Sequence, residues 1–472
     1  MRWAVRPQSR QSSRDVQRPD YTALLDGEGD RDRDFLAMLA AREFTPAAFP
    51  SIKGSDLTLA YLREHHFVEP FLVPSPEGLG MVMPGPDFSV DDVKAYVGTV
   101  VARVGHGGTG SHARLSAAPQ SAHHGGSVCG GARAGGDREI FVIDVATQQE
   151  KVAWNMNQFA YYFSHPDVRR RIYNVISLEF SDSAMAAAVR RPAIVDALDW
   201  ISLAWPPERV ATRSAQEYPK VQMYCLMSVA GSYTDFHIDF GGSSVFYHLI
   251  SGEKLFYFIP PTPDNLKRYE RWSNSPDQSD TFFGDLAGPC LSARLLPGQT
   301  LFIPSGWIHA VATPRDSIVV GGNFVHALSV PMQLAVERIE EATQVPHRFR
   351  FPFFRHLHWF YAEYLLGRLR SGADAVASMS APERDSVATL VRYLGSMLTP
   401  LKTAEDRANW KINSPFDRHR ATALVRALAA LLGLPETEVL GRPLGQLPIP
   451  ALPPRYYEWS SPRKAKRRSP GA

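Results

Sequence analysis

The chain has 472 residues, with 51 Lys+Arg against 48 Asp+Glu for a formal net charge of +3, and 44% of it is hydrophobic. These values exclude a mostly disordered or collagen-like chain, and no apolar run approaches the roughly 18–20 residues that span a bilayer. Three scattered cysteines, Cys129, Cys225 and Cys290, build neither a disulfide framework nor a four-ligand zinc finger, which points to a reducing compartment.

In chain order, residues 1–34 are polar and charged and read as a disordered tail. The stripe Arg2, Arg6, Arg10, Arg14 and Arg18 would suit a transit peptide, but Pro7, Asp15 and Asp20 favour a solvated segment. Residues 35–99 read as an N-terminal α/β segment. There Ser55-Asp56 caps a short helix through Phe67, and Phe71-Leu72-Val73 forms a strand closed by Pro74. Residues 100–137 are Gly-rich, and no Phe, Trp or Tyr occurs from Gly105 to Gly136, so this stretch is expected to be a disordered insert. His106, His112, His123, His124 and Cys129 fall within it, at irregular spacing and with no rigid element to hold a metal.

Residues 138–330 read as a β-rich unit. Strand-like runs cover Glu139 to Val145, Val175 to Phe180, Val221 to Val229, Phe236 to Phe240, Ser244 to Ile250, Lys254 to Ile259, Thr300 to Ile303, Ile308 to Thr313 and Ile318 to Phe324. Short strands at close spacing, punctuated by Gly and Pro, predict a sandwich or barrel rather than a parallel sheet. Residues 331–455 change to helical periods, at Met332 to Thr343, Phe354 to Leu369, Ser386 to Leu398 and Arg418 to Leu432. Residues 456–472 form a basic tail containing Arg463-Lys464-Ala465-Lys466-Arg467-Arg468. Such a run reads as a nuclear import signal or a nucleic-acid contact.

The sharpest feature is Tyr233-Thr234-Asp235-Phe236-His237-Ile238-Asp239-Phe240-Gly241. On a strand, residues two apart share a face, so His237 and Asp239 project together. That is two-thirds of a facial triad for non-haem iron(II). The natural third ligand is His309, which opens a strand after the turn Pro304-Ser305-Gly306. A co-substrate carboxylate buried beside such a site needs a cation, and Lys254, flanked by aromatics on its strand, is available. Alternation puts Thr234 on the face opposite His237, so periodicity alone gives its hydroxyl no role there.

Four longer motifs carry a resemblance. They are Tyr-Thr-Asp-Phe-His-Ile-Asp-Phe-Gly-Gly at 233–242, Asn-Val-Ile-Ser-Leu-Glu-Phe-Ser at 174–181, Gly-Trp-Ile-His-Ala-Val at 306–311 and Gly-Gly-Asn-Phe at 321–324. With Leu57 to Arg63 and Pro84 to Val90, they resemble JmjC-domain histone lysine demethylases, of the fungal histone demethylation protein 1 type and its animal F-box relatives, over roughly residues 50 to 370. The resemblance implies a mainly β core, a double-stranded β-helix or cupin-like jelly roll with flanking α/β elements and a C-terminal helical region. It implies iron(II) ligation by His237, Asp239 and His309, and 2-oxoglutarate binding by Thr234 and Lys254, with Tyr247 and Asn174 as further contacts. It also implies a dioxygenase that demethylates lysine by N-methyl hydroxylation, releasing formaldehyde and succinate. The expected substrate is mono- or dimethylated lysine-36 of histone H3, the expected partner the H3 tail on a nucleosome, and the expected location the nucleus. The basic tail adds an expected non-specific DNA contact, and no membrane role is expected. A JmjC protein hydroxylase and a non-catalytic chromatin scaffold are the competing readings. The cysteine count excludes a PHD or CXXC finger, which many relatives carry, from these 472 residues.

Overall fold

A computed structural model describes residues 35–98, 136, 138–212, 218–372, 376–377, 379–400, 402–441, 451–453 and 456. The expectations for the tail 1–34, for nearly all of the insert 100–137 and for the basic tail lie outside these residues. The strands, in chain order, are β1 Thr45–Pro46, β2 Phe71–Val73, β3 Glu139–Asp144, β4 Gln149–Asn155, β5 Tyr173–Glu179, β6 Tyr224–Ser228, β7 Tyr233–His237, β8 Ser244–Ile259, β9 Leu291–Leu295, β10 Thr300–Ile303 and β11 Ile308–Phe324.

Two long strands organise the barrel. β8 and β11 pair antiparallel from Ile308↔Ile259 to Phe324↔Ser244. Each bends, and its two halves take different outer neighbours. The first half of β8 pairs with β10 and the second with β9. The first half of β11 pairs with β7 and the second with β6. The two sheets of the jelly roll therefore share one pair of strands, which is the double-stranded β-helix expected from the sequence. β10 continues to β2, and β6 continues through β5 and β3 to β4.

Four expectations at residue level are corrected. The runs Ser244 to Ile250 and Lys254 to Ile259 are one strand, as are Ile308 to Thr313 and Ile318 to Phe324. Gly252, at φ 86°, takes up the bend in β8 without breaking it. The helix expected from Ser55 is Leu59–Glu64, capped by Thr58, whose hydroxyl accepts from the Tyr61 amide. β7 begins and ends three residues earlier than the run Phe236 to Phe240. Asp239 lies beyond it in a turn, with φ −58° and ψ 138°. The helices Val330–Ala342, Phe354–Ser371, Ala381–Ser396, Ala404–Asn413 and Arg418–Leu431 follow the barrel. Their core, with Trp359, Leu390, Leu394 and Leu428 fully buried, is continuous with Trp200 of the helix Trp200–Ala204.

Candidate active site

His237 and His309 are direct cross-strand partners on β7 and β11. Their rings lie 4.3 Å apart between centroids. In each ring Nδ1 faces a backbone carbonyl, Asp235 at 2.8 Å for His237 and Trp307 at 3.0 Å for His309. A carbonyl only accepts, so Nδ1 carries the proton and Nε2 presents its lone pair to the site. Asp239 reaches the same point from the turn after β7, with Oδ2 3.8 Å from His309 Nε2. One donor atom from each of the three residues lies within 4.8 Å of the others. The turn, rather than strand alternation, brings Asp239 beside His237.

Asn323, near the end of β11, orients this carboxylate. Its Nδ2 donates to Asp239 Oδ1 at 3.2 Å and to Ser243 Oγ at 2.9 Å. Burial pushes the Asp239 carboxyl up, against the pull of His237 and Asn323 in the other direction. Burial, with the neighbouring His237, holds the His309 imidazole well below its ordinary value and therefore neutral. Phe256 and Phe258 stand against His309, at 6.3 and 5.7 Å between centroids, and keep that side dry.

Deeper in the barrel is a buried lysine. Lys254 is 2% exposed. Its Nζ donates to Ser228 Oγ at 2.7 Å and to Thr313 Oγ1 at 2.8 Å. Ser228 in turn donates to Asn174 Oδ1 at 2.7 Å, and Asn174 Nδ2 donates to Thr234 Oγ1 at 3.4 Å. Burial lowers the Lys254 ammonium to about 7. Its hydrogen-bond partners among the described residues are hydroxyls, so a carboxylate brought into the barrel would supply its missing counter-charge. Tyr247 is buried on the same strand and packs edge-on against Phe256 at 5.2 Å.

A cupin-like domain profile matches residues 157–328, and a Jumonji helical domain profile matches 328–428. The chain is 41% identical over 362 residues to human lysine-specific demethylase 7A, covering 76% of this chain and 34% of that protein. It is 40% identical over 344 residues to lysine-specific demethylase 2A of Xenopus tropicalis, covering 71% and 27%. It is 40% identical over 338 residues to the zebrafish (Danio rerio) histone lysine demethylase PHF8, covering 71% and 28%. The chain carries a JmjC cupin-like domain followed by a Jumonji helical domain. It spans between about a quarter and a third of the length of these relatives.

Six of the seven sequence-nominated residues fall in these two clusters of the JmjC barrel, and Tyr247 packs on Phe256, which stands against His309. Thr234 corrects the alternation argument. The β7–β11 register slips between His309↔His237 and Val311↔Thr234, three residues on β7 against two on β11. This bulge resets the alternation, so Thr234 and His237 can both serve the barrel interior. Sequence reasoning missed Ser228, Thr313 and Asn323. Asn323 is the lone hydrogen-bonding side chain in the apolar run Ile318 to Phe324, and that was the available signal.

Proposed function

We propose that this chain is an iron(II)- and 2-oxoglutarate-dependent histone lysine demethylase. One observation carries the reading: a His-His-carboxylate donor set and a buried lysine lacking an anion share one barrel. The donor set suits iron(II), for which two imidazoles and one carboxylate are a known facial set with further positions for co-substrate and dioxygen. His237, Asp239 and His309 would hold the metal. Lys254 would hold the distal carboxylate of 2-oxoglutarate, with Thr234, Asn174 and Tyr247 beside it. Bound together, the metal and co-substrate supply oxidative hydroxylation of an N-methyl group, whose carbon leaves as formaldehyde while 2-oxoglutarate becomes succinate.

The protein's own part is positional. Trp307 and Asp235 carbonyls fix the two imidazoles, Asn323 fixes the carboxylate, and the Phe256 and Phe258 rings exclude water. No general base is needed, and no catalytic dyad is invoked. The substrate class follows from the relatives, two of which are named as lysine-specific demethylases and one as a histone lysine demethylase. Within that class we assign mono- and dimethylated lysine-36 of histone H3, presented on a nucleosome in the nucleus. The cluster Arg463 to Arg468 adds a salt-sensitive, sequence-independent DNA contact.

Mass spectrometry of a panel of methylated H3 peptides, incubated with iron(II) and 2-oxoglutarate, tests this. Loss of about 14 Da per methyl from the lysine-36 peptides, with formaldehyde released, is the expected result. A retained hydroxyl would make the chain a protein hydroxylase. Absence of any turnover beside normal metal binding would favour a chromatin scaffold.

A further inference from the structure

Gly241 and Gly242 both adopt φ 59°, directly after the Asp239 turn. A side chain at either position would strike the helical region. A Cβ on Gly241 would lie 2.8 Å from Phe351 Cβ and 2.9 Å from the Phe354 ring. One on Gly242 would lie 2.9 Å from Gln333 Cα and 3.1 Å from Val336. Two consecutive left-handed glycines therefore let the backbone press against the helix Val330–Ala342 and the start of Phe354–Ser371. A polar contact crosses this seam. Glu340, on the helix Val330–Ala342, accepts a hydrogen bond from the Gly241 amide at 2.7 Å. Gly241 is buried and Glu340 is 8% exposed. Around Glu340, Arg350 Nη2 donates to its backbone carbonyl at 3.2 Å, and Glu337 and Glu341 stand nearby on the same helix.

We infer that Glu340 is a positioning residue for the metal centre, through which the helical region sets the angle at which Asp239 enters the site. The inference rests on the proposed iron assignment. Asn323 holds the carboxylate from the barrel side, and Ser305 holds the Gly242 carbonyl from there as well, but the Gly241 amide, two residues from that carboxylate, is held from the helical side. The turn closes on itself through Gly242 N to Asp239 O at 3.0 Å, Ser243 N to Phe240 O at 3.1 Å and Ser243 Oγ to Phe240 O at 2.9 Å, and Ser305 Oγ donates to the Gly242 carbonyl. With Glu340 removed, the Gly241 amide is a buried donor without an acceptor, and the turn must move to reach water. That movement displaces Asp239 relative to His237 and His309.

The test is a cobalt(II) titration of the full chain, followed by the visible spectrum of the bound ion. Glu340→Ala should weaken cobalt binding about tenfold, the low end of the range for groups that orient metal ligands, and alter the spectrum. Glu340→Gln keeps an acceptor oxygen and should restore both. Leu334→Ala, on the same helix but facing the helical core, should lower the melting temperature and leave both cobalt readouts unchanged. The positioning role is overturned if Glu340→Ala binds cobalt as the unaltered protein does, or if Leu334→Ala weakens binding equally. If the unaltered protein gives no His237-dependent cobalt spectrum, the iron assignment itself fails, a different outcome from either of those.

Discussion

The barrel holds two polar clusters built on opposite strategies. At the mouth, three ligands come from one strand end, one turn and one strand start, and their carbonyl and amide partners leave the donor atoms free. In the depth, Lys254, Ser228, Asn174, Thr234 and Thr313 spend their hydrogen bonds on one another, and no carboxylate among the described residues bonds the lysine. The first cluster presents three donor atoms and the second presents a lysine. On the proposed function, the first would take a metal and the second an anion. A metal that chelates a dicarboxylate reaching inward would satisfy both at once.

The largest effects should come from the mouth. His237→Ala or Asp239→Ala leaves two ligands, and turnover on methylated peptide should be lost, with iron binding much weakened. The thermal melt should stay cooperative, because neither side chain belongs to the apolar core. Wild-type turnover in either variant would break the metal half of the comparison. Lys254→Ala attacks the deep cluster alone. Leaving a buried charge without its partner costs about 3–5 kcal/mol. The 2-oxoglutarate affinity should therefore fall roughly a hundredfold or more, at about tenfold per 1.4 kcal/mol. Iron binding should survive, and an unchanged 2-oxoglutarate titration would show that the anion goes elsewhere. Asn323→Ala acts on the mouth at second hand. Asp239 Oδ1 loses its amide partner, and metal affinity should fall about tenfold with the 2-oxoglutarate contacts intact. Equal losses for both ligands would mean that the two clusters are not separable.

Residue identity at the mouth was legible because metal ligation restricts residue type, and His237, Asp239 and His309 stand in strongly patterned surroundings. The geometry was less so. Strand alternation placed His237 and Asp239 on one face, yet Asp239 lies in a turn, and the β7 bulge cancels the argument against Thr234. A bulge leaves no mark in composition. Strand density predicted a sandwich or barrel and the resemblance implied the double-stranded β-helix, but β1, β4 and β9 escaped notice. Gln149–Asn155 is largely polar because it forms an edge, and Leu291–Leu295 carries Arg294 on its outer face against Glu253. Ser228, Thr313 and Glu340 act through partners far away in the chain, and no local pattern announces such pairings.

The deep cluster also predicts a pH dependence that the mouth does not share. Burial lowers the Lys254 ammonium to about 7, from an ordinary value of about 10.4. In the ligand-free protein the lysine is thus largely neutral at pH 8 to 9, while an unfolded chain would hold the proton. Stability attributable to this group is then lost as pH falls from about 10 towards 7, because the unfolded state binds more protons over that window. An arriving carboxylate reverses the preference, since it stabilises the ammonium. Binding of 2-oxoglutarate above pH 7 should therefore take up close to one proton, and its affinity should fall up to about tenfold per pH unit. Below pH 7 the lysine is already charged, and the dependence should flatten. Calorimetry in buffers of different ionisation enthalpy reads the proton uptake directly, and Lys254→Met should abolish it. Uptake that persists in that variant would assign the titration to another group, leaving the deep cluster without its charge deficit.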